Sequence, residues 1–141
     1  MSRIYWDAML FIYWLEDRPH LAEKVDRIRS RMQQRRDELI TGALTFGEVL
    51  AGPYRRGLPQ LAEKTRGQLH SMVSEVLPFT LETAEHYARI RGTFGIKPAD
   101  AVHLACAAQA RTDLFLTNDT ALLGKMIPGI QFIAGLDSNI L

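Results

Sequence analysis

Cysteine is nearly absent from this chain: Cys106 is alone among 141 residues. No internal disulfide can form, which fits a reducing compartment. Histidine is sparse too. His20, His70, His86 and His103 show no zinc-site spacing. Net charge is only +1, so no overall field advertises nucleic acid or a membrane surface. Long apolar runs are missing as well. The stretch from Ile4 to Leu15 is too short for a membrane span and carries Asp7. It also lacks the basic start and small-residue cleavage site of a signal peptide. These absences predict a soluble, cytoplasmic protein with no membrane partner. Repeats, low-complexity stretches and long linkers are lacking too, so residues 1–141 are expected to form a single domain.

What remains is ordinary globular material, 47% apolar and 23% charged. At this length, folding buries about 70% of the unfolded chain's surface. Cys106 lies in an alanine-rich helical pattern and reads as a buried structural thiol. Thirteen of the seventeen basic residues are arginines, clustered at Arg27, Arg29, Arg31, Arg35 and Arg36, with Arg55 and Arg56 beyond. Interleaved Glu23 and Asp26 make the first segment a solvated helix face in the plainest reading. Arginine also suits bidentate contacts to phosphate.

Strand-like and helix-like segments alternate along the chain. Arg3–Trp6 reads as a strand, followed at once by an apolar, buried helix from about Ala8 to Glu16. A polar helix is predicted from His20 to Arg36 and a strand at Leu39–Gly42. Thr45 is placed to cap a helix that carries Glu48 and ends near Gly52-Pro53, before a basic connector, Tyr54–Gly57. A helix from Leu58 to about Ser74 and a strand at Val76–Phe79 follow. Thr80 caps a helix from Leu81 to Arg91, and Gly92–Pro98 is a break. Pro98 suits the first position of a helix running to about residue 110. Leu114–Thr117 is a strand, Thr120–Lys125 a short helix and Ile130–Ile133 a last strand. This alternation implies a three-layer α/β/α fold with a central parallel sheet. Ligands in such folds bind at the carboxyl ends of the strands.

Four acids interrupt apolar sequence. Asp7 is the only charge in IYWDAMLFIYWL, Glu48 sits in LTFGEVLAG, Asp100 opens ADAVHLACAA and Asp119 ends LFLTND. A carboxylate in apolar surroundings is costly unless paired or bound to a cation. Asp7 and Asp119 follow predicted strands. Asp100 and Glu48 lie early in helices that begin near strand ends. All four therefore fall near one crevice, if the sheet is parallel. Carboxylates gathered without matching cations repel one another, so their pKa values rise or a cation binds. An all-oxygen set suits Mg²⁺ or Mn²⁺ rather than zinc. Each acid also has a structural reading. Asp7 can cap the helix after it, Asp100 can complement a helix dipole, and Asp119 can close an Asx-type turn. Glu48 has the weakest such explanation. His103, one turn from Asp100, can face the same crevice, although a satisfied core histidine is the commoner case.

The chain resembles the PIN-domain family, and within it the VapC-type toxin ribonucleases of toxin–antitoxin pairs. The resemblance rests on the order and spacing of YWDAMLFIYWL, LTFGEVLAG, KPADAVHLACAA and FLTND. It implies Asp7, Glu48, Asp100 and Asp119 as metal-binding and catalytic acids, Mg²⁺ or Mn²⁺ as cofactor, and hydrolysis of RNA to a 5′-phosphate product. It further implies a small cognate antitoxin and a homodimer. Two positions depart from the family pattern. Ala8 stands where a hydroxyl is frequent, and Leu122 where some relatives carry a further acid. Thr117 and Asn118 are the polar residues placed to orient the ligands.

Aspartyl-phosphate chemistry is the competing enzyme class. Its phosphatases need a second acid two residues after the first, where this chain has Met9, and receivers need adjacent acids, which Asp7 lacks. A non-catalytic PIN-like module that binds RNA or protein is the other alternative.

Overall fold

The computed structural model describes residues 1–139 and 141. Five strands form one sheet in the order β3-β2-β1-β4-β5, and every pair is parallel. The strands are β1 (Arg3–Trp6), β2 (Glu38–Gly42), β3 (Glu75–Leu77), β4 (Thr112–Leu116) and β5 (Ile130–Ala134). Six helices connect them: α1 (Ala8–Leu15), α2 (Leu21–Arg35), α3 (Ala43–Arg55), α4 (Pro59–Met72), α5 (Leu81–Phe94) and α6 (Pro98–Gln109). A 3-10 turn, Thr120–Leu122, follows β4. The architecture is the α/β sheet flanked by helices that strand–helix alternation implied.

Strand alternation divides the core in two. Ile4 and Trp6 of β1, Leu39 of β2, and Leu114 and Leu116 of β4 face α1–α4, where Leu10, Phe11, Val25, Met32, Val49 and Leu69 bury them. Tyr5, Ile40 and Phe115 face the other way, against Ile90 of α5 and the alanine-rich α6. Small side chains at Ala101, Ala105 and Ala108 let α6 lie close to the sheet, and Tyr5 stacks on Phe115 with ring centroids 5.0 Å apart. That close seat fixes where the first turn of α6 ends up.

Several boundaries differ from the sequence-based expectation. Helix α3 begins at Ala43, directly after Gly42, and Thr45 does not cap it. Thr45 is instead buried, with its hydroxyl 2.6 Å from that of Thr41. Pro53 lies inside α3 rather than ending it, and Tyr54 and Arg55 are helical. Proline removes one donor, but the turn still closes through Arg56 N–H to Gly52 O (3.1 Å) and Leu58 N–H to Pro53 O (2.9 Å). Helix α5 passes through Gly92 and stops at Gly95, whose φ of 63° is the left-handed C-terminal signal.

Strand β1 lies between β2 and β4, and their connections leave on opposite sides. The crevice therefore opens between the carboxyl ends of β1 and β4, where the strand order reverses. Trp6 pairs with Leu116 in register, so the next residues, Asp7 and Thr117, are neighbours. Among the described residues no helix is long and apolar enough to cross a membrane.

Candidate metal centre

Asp7 stands at the junction of β1 and α1 and is 8% exposed. Its capping role is real: Oδ1 accepts the Met9 N–H at 3.1 Å. Its other oxygen, Oδ2, accepts the Thr117 hydroxyl at 2.5 Å. Thr117 is fully buried, and its Oγ1 in turn accepts the Asp119 N–H at 3.0 Å. One hydroxyl thus ties the first and last of the four acids together. Asp119 also has the turn-closing role, its Oδ1 accepting the Ala121 N–H at 2.9 Å. Asn118 points elsewhere: its amide donates to the Tyr13 hydroxyl at 3.1 Å and ties the loop after β4 to α1.

Asp100 occupies the first turn of α6, which Pro98 opens. Burial pushes its carboxyl above the ordinary range. The hydrogen bond to Asp119 and the negative charges of Asp119 and Asp7 add to the rise, and His103 opposes it. Asp7 is likewise raised, chiefly by burial. The Thr117 hydroxyl, His103 and the backbone N–H groups of Met9 and Leu10 partly offset that rise. Asp7, Asp100 and Asp119 therefore sense one another across the crevice. No lysine or arginine is paired with any of the three among the described residues.

Glu48 lies in the second turn of α3, half-exposed, and its Oε1 is 2.5 Å from Nε2 of His103. His103 is 3% exposed, with Nδ1 2.7 Å from the Tyr5 hydroxyl. It lies close enough to both Asp7 and Asp100 to oppose the rise in their carboxyls. His103 is thus a buried histidine with partners on both ring nitrogens, the commoner case, and it also lies beside the crevice. The available signal was its place three residues after Asp100 on the same helix face.

Among the described residues, no three His, Cys, Asp or Glu side chains are gathered tightly enough to hold an ion as they stand. Glu48 is bonded to His103 and Asp7 to Thr117 instead, and Asp119 lies close enough to Asp100 to raise its carboxyl. The donor set still suits a hard divalent cation. It supplies carboxylate oxygens only, and two of its members have carboxyls raised chiefly by burial, a cost that a bound cation would offset.

Much of the arginine cluster on α2 has structural partners. Arg29 lies 5.0 Å over the Trp14 ring, Arg31 donates to the Leu141 carbonyl, and Arg35 pairs with Asp37 at 3.0 Å. Arg27, Arg36, Arg55 and Arg56 are exposed.

A PIN-domain family model matches residues 4–125, and the chain belongs to that family. Solved structures with this fold include a chain of the VapBC2 complex of Rickettsia felis bound to a DNA fragment from its promoter. It is 14% identical, with a TM-score of 0.71 over 94% of this chain and 98% of that one. A chain of a toxin–antitoxin complex from Klebsiella pneumoniae is 20% identical, with a TM-score of 0.67 over 90% and 94% of the two chains. A comparison with curated protein sequences finds no match.

Proposed function

We propose that this protein is a divalent-metal-dependent endoribonuclease, the VapC-type toxin of a cytoplasmic toxin–antitoxin pair. The observation that carries this reading is the tie of Asp7 and Asp119 through Thr117 at the carboxyl ends of β1 and β4, with Asp100 near enough for both charges to raise its carboxyl and no lysine or arginine paired with the three among the described residues. Membership of the PIN family, and the likeness of the fold to chains from two toxin–antitoxin complexes, support the biological setting.

In this reading Asp7, Asp100 and Asp119 hold Mg²⁺ or Mn²⁺, and Glu48 completes the site directly or through water. The cation, when bound, lowers the pKa of a coordinated water and stabilises phosphoryl charge during in-line displacement. Thr117 sets the carboxylate plane of Asp7 and the backbone of Asp119 at the same time. An ion in the crevice would relieve the repulsion that raises Asp100 beside Asp119 and Asp7. Arg27, Arg36, Arg55 and Arg56 are the proposed contacts to the RNA backbone, which position the strand without reading its sequence. A small antitoxin is the proposed partner, a homodimer the proposed assembly, and residues 1–141 the proposed single domain.

The test is cleavage of total RNA by purified, antitoxin-free protein with Mg²⁺, Mn²⁺ or EDTA, beside Asp7→Asn and Asp100→Asn. Cleavage that needs metal and is lost in both variants supports the reading. Equal inertness of all three folded proteins against total RNA, and then against isolated tRNA and rRNA, favours a non-catalytic binding module. Equal cleavage by all three means a contaminating nuclease or a different site.

A further inference from the structure

Four groups from four elements form one buried line of hydrogen bonds. The Gly42 N–H, at the end of β2, donates to the Tyr5 hydroxyl oxygen at 2.9 Å. The Tyr5 oxygen, in β1, lies 2.7 Å from Nδ1 of His103, in α6. Nε2 of His103 lies 2.5 Å from Oε1 of Glu48, in α3. The Tyr5 hydroxyl can both donate and accept, so it satisfies Nδ1 in either ring tautomer, while a Glu48 carboxylate only accepts and takes the proton on Nε2.

The first three members have little freedom. Tyr5 is fully buried, stacked on Phe115, with its ring edge-to-face with His103 at 5.9 Å. A side chain at Gly42 would meet the Tyr5 oxygen at 2.7 Å, so the strand end approaches it as closely as a glycine allows. Glu48 differs, being half-exposed on a helix with only one oxygen held. A glutamate on its own would sample many rotamers there.

We propose that His103, itself locked by Tyr5, is a positioning residue that presents Glu48 to the metal crevice as a one-oxygen donor. With Oε1 held by the imidazole, Oε2 is the atom left for an ion or its water. This assigns a function to the one buried histidine that the four-acid scheme does not use. It rests on the metal-centre reading above. It also follows a general rule: partners behind a ligand fix its orientation, and their loss costs about 10–100-fold in metal affinity or activity.

The experiment is a Mn²⁺ titration followed by the electron paramagnetic resonance of free Mn²⁺, with thermal unfolding in EDTA beside it. The proteins are wild type, His103→Leu, His103→Gln, Tyr5→Phe, Glu48→Gln and the His103→Leu/Glu48→Gln pair. His103→Leu should weaken Mn²⁺ binding about 10–100-fold. His103→Gln, which keeps an N–H donor, should stay close to wild type. In the Glu48→Gln background the loss from His103→Leu should shrink markedly, because the route through Glu48 is gone and only the effect of its ring on Asp7 and Asp100 is left. If His103→Leu fails to fold, Tyr5→Phe carries the same test, with weaker binding expected in the wild-type background and none added in Glu48→Gln. Wild-type affinity in folded His103→Leu, or the same loss with and without Glu48, would overturn the inference and leave the metal centre standing. Failure of the wild type itself to bind Mn²⁺ would remove the metal reading and this inference with it.

Discussion

Thr117 Oγ1 lies 2.5 Å from Asp7 Oδ2 across 110 residues of sequence. The same oxygen accepts the Asp119 N–H at 3.0 Å. This buried hydroxyl donates once and accepts once, and both of its partners are proposed metal ligands. Thr117→Val keeps the shape and removes both bonds. It should cost about 1–3 kcal/mol in urea unfolding at neutral pH, the usual penalty for stranding buried polar groups. It should also push the Asp7 carboxyl further up, because the Thr117 bond is the largest of the effects holding it down. Thr117→Ser should restore most of both quantities. Unchanged stability in Thr117→Val would mean that water replaces the hydroxyl.

The raised carboxyls of Asp7 and Asp100 set the sign of a pH effect. A carboxyl whose folded pKa lies above its unfolded value binds its proton more tightly in the native state. Its penalty is absent below the unfolded value of about 3.9 and grows as pH rises through the folded value. The metal-free protein should therefore lose stability from about pH 4 upward on account of these two groups. Asp100→Asn removes one of the charges crowded beside Asp119 and Asp7. At neutral pH without metal it should raise Tm by about 3 °C, a shift of order 1 kcal/mol. Mg²⁺ or Mn²⁺ should stabilise the wild type and narrow the difference. A lower Tm in metal-free Asp100→Asn would count against charge crowding in the crevice.

Which parts of this arrangement were legible follows from the range of each interaction. Strand β1 and the start of α6 were plain, because a β-rich run and a proline at the first helical position are local signals. The four acids were legible as charges in apolar sequence. The start of α3 was not, because Thr45 looks like a cap and is instead claimed by Thr41, a tertiary contact. Gly92 looked like a stop, yet the chain turns left-handed only at Gly95. The partners of His103 were not legible, because one, Glu48, is 55 residues away and the other, Tyr5, is 98 residues away; only its place one turn after Asp100 was local.

Gly42 has a steric assignment. A Cβ there would lie 2.7 Å from the Tyr5 oxygen and 3.3 Å from Cys106 Sγ. Gly42→Ala should cost about 1–3 kcal/mol by overpacking, measured by urea unfolding. The cost should shrink in a Tyr5→Phe background, where the clashing oxygen is gone. Equal costs in both backgrounds would place the strain elsewhere.

Cys106 should be chemically silent. It is 2% exposed, and burial pushes its thiol up to about 11. At pH 8 its reaction with an aromatic disulfide reagent should run at least about 100-fold slower in the native protein than in urea, since the thiolate is the reactive form. Rapid labelling of the native protein would show that α6 opens readily.

The central claim is that the crevice between β1 and β4 holds a divalent cation. Crystals grown without chelator and soaked in Mn²⁺ test it directly through anomalous scattering at the manganese edge. The account predicts a peak within about 2–2.5 Å of carboxylate oxygens from Asp7, Asp100 and Asp119. A crevice without a peak at saturating Mn²⁺, or a peak bound only by other residues, would contradict it.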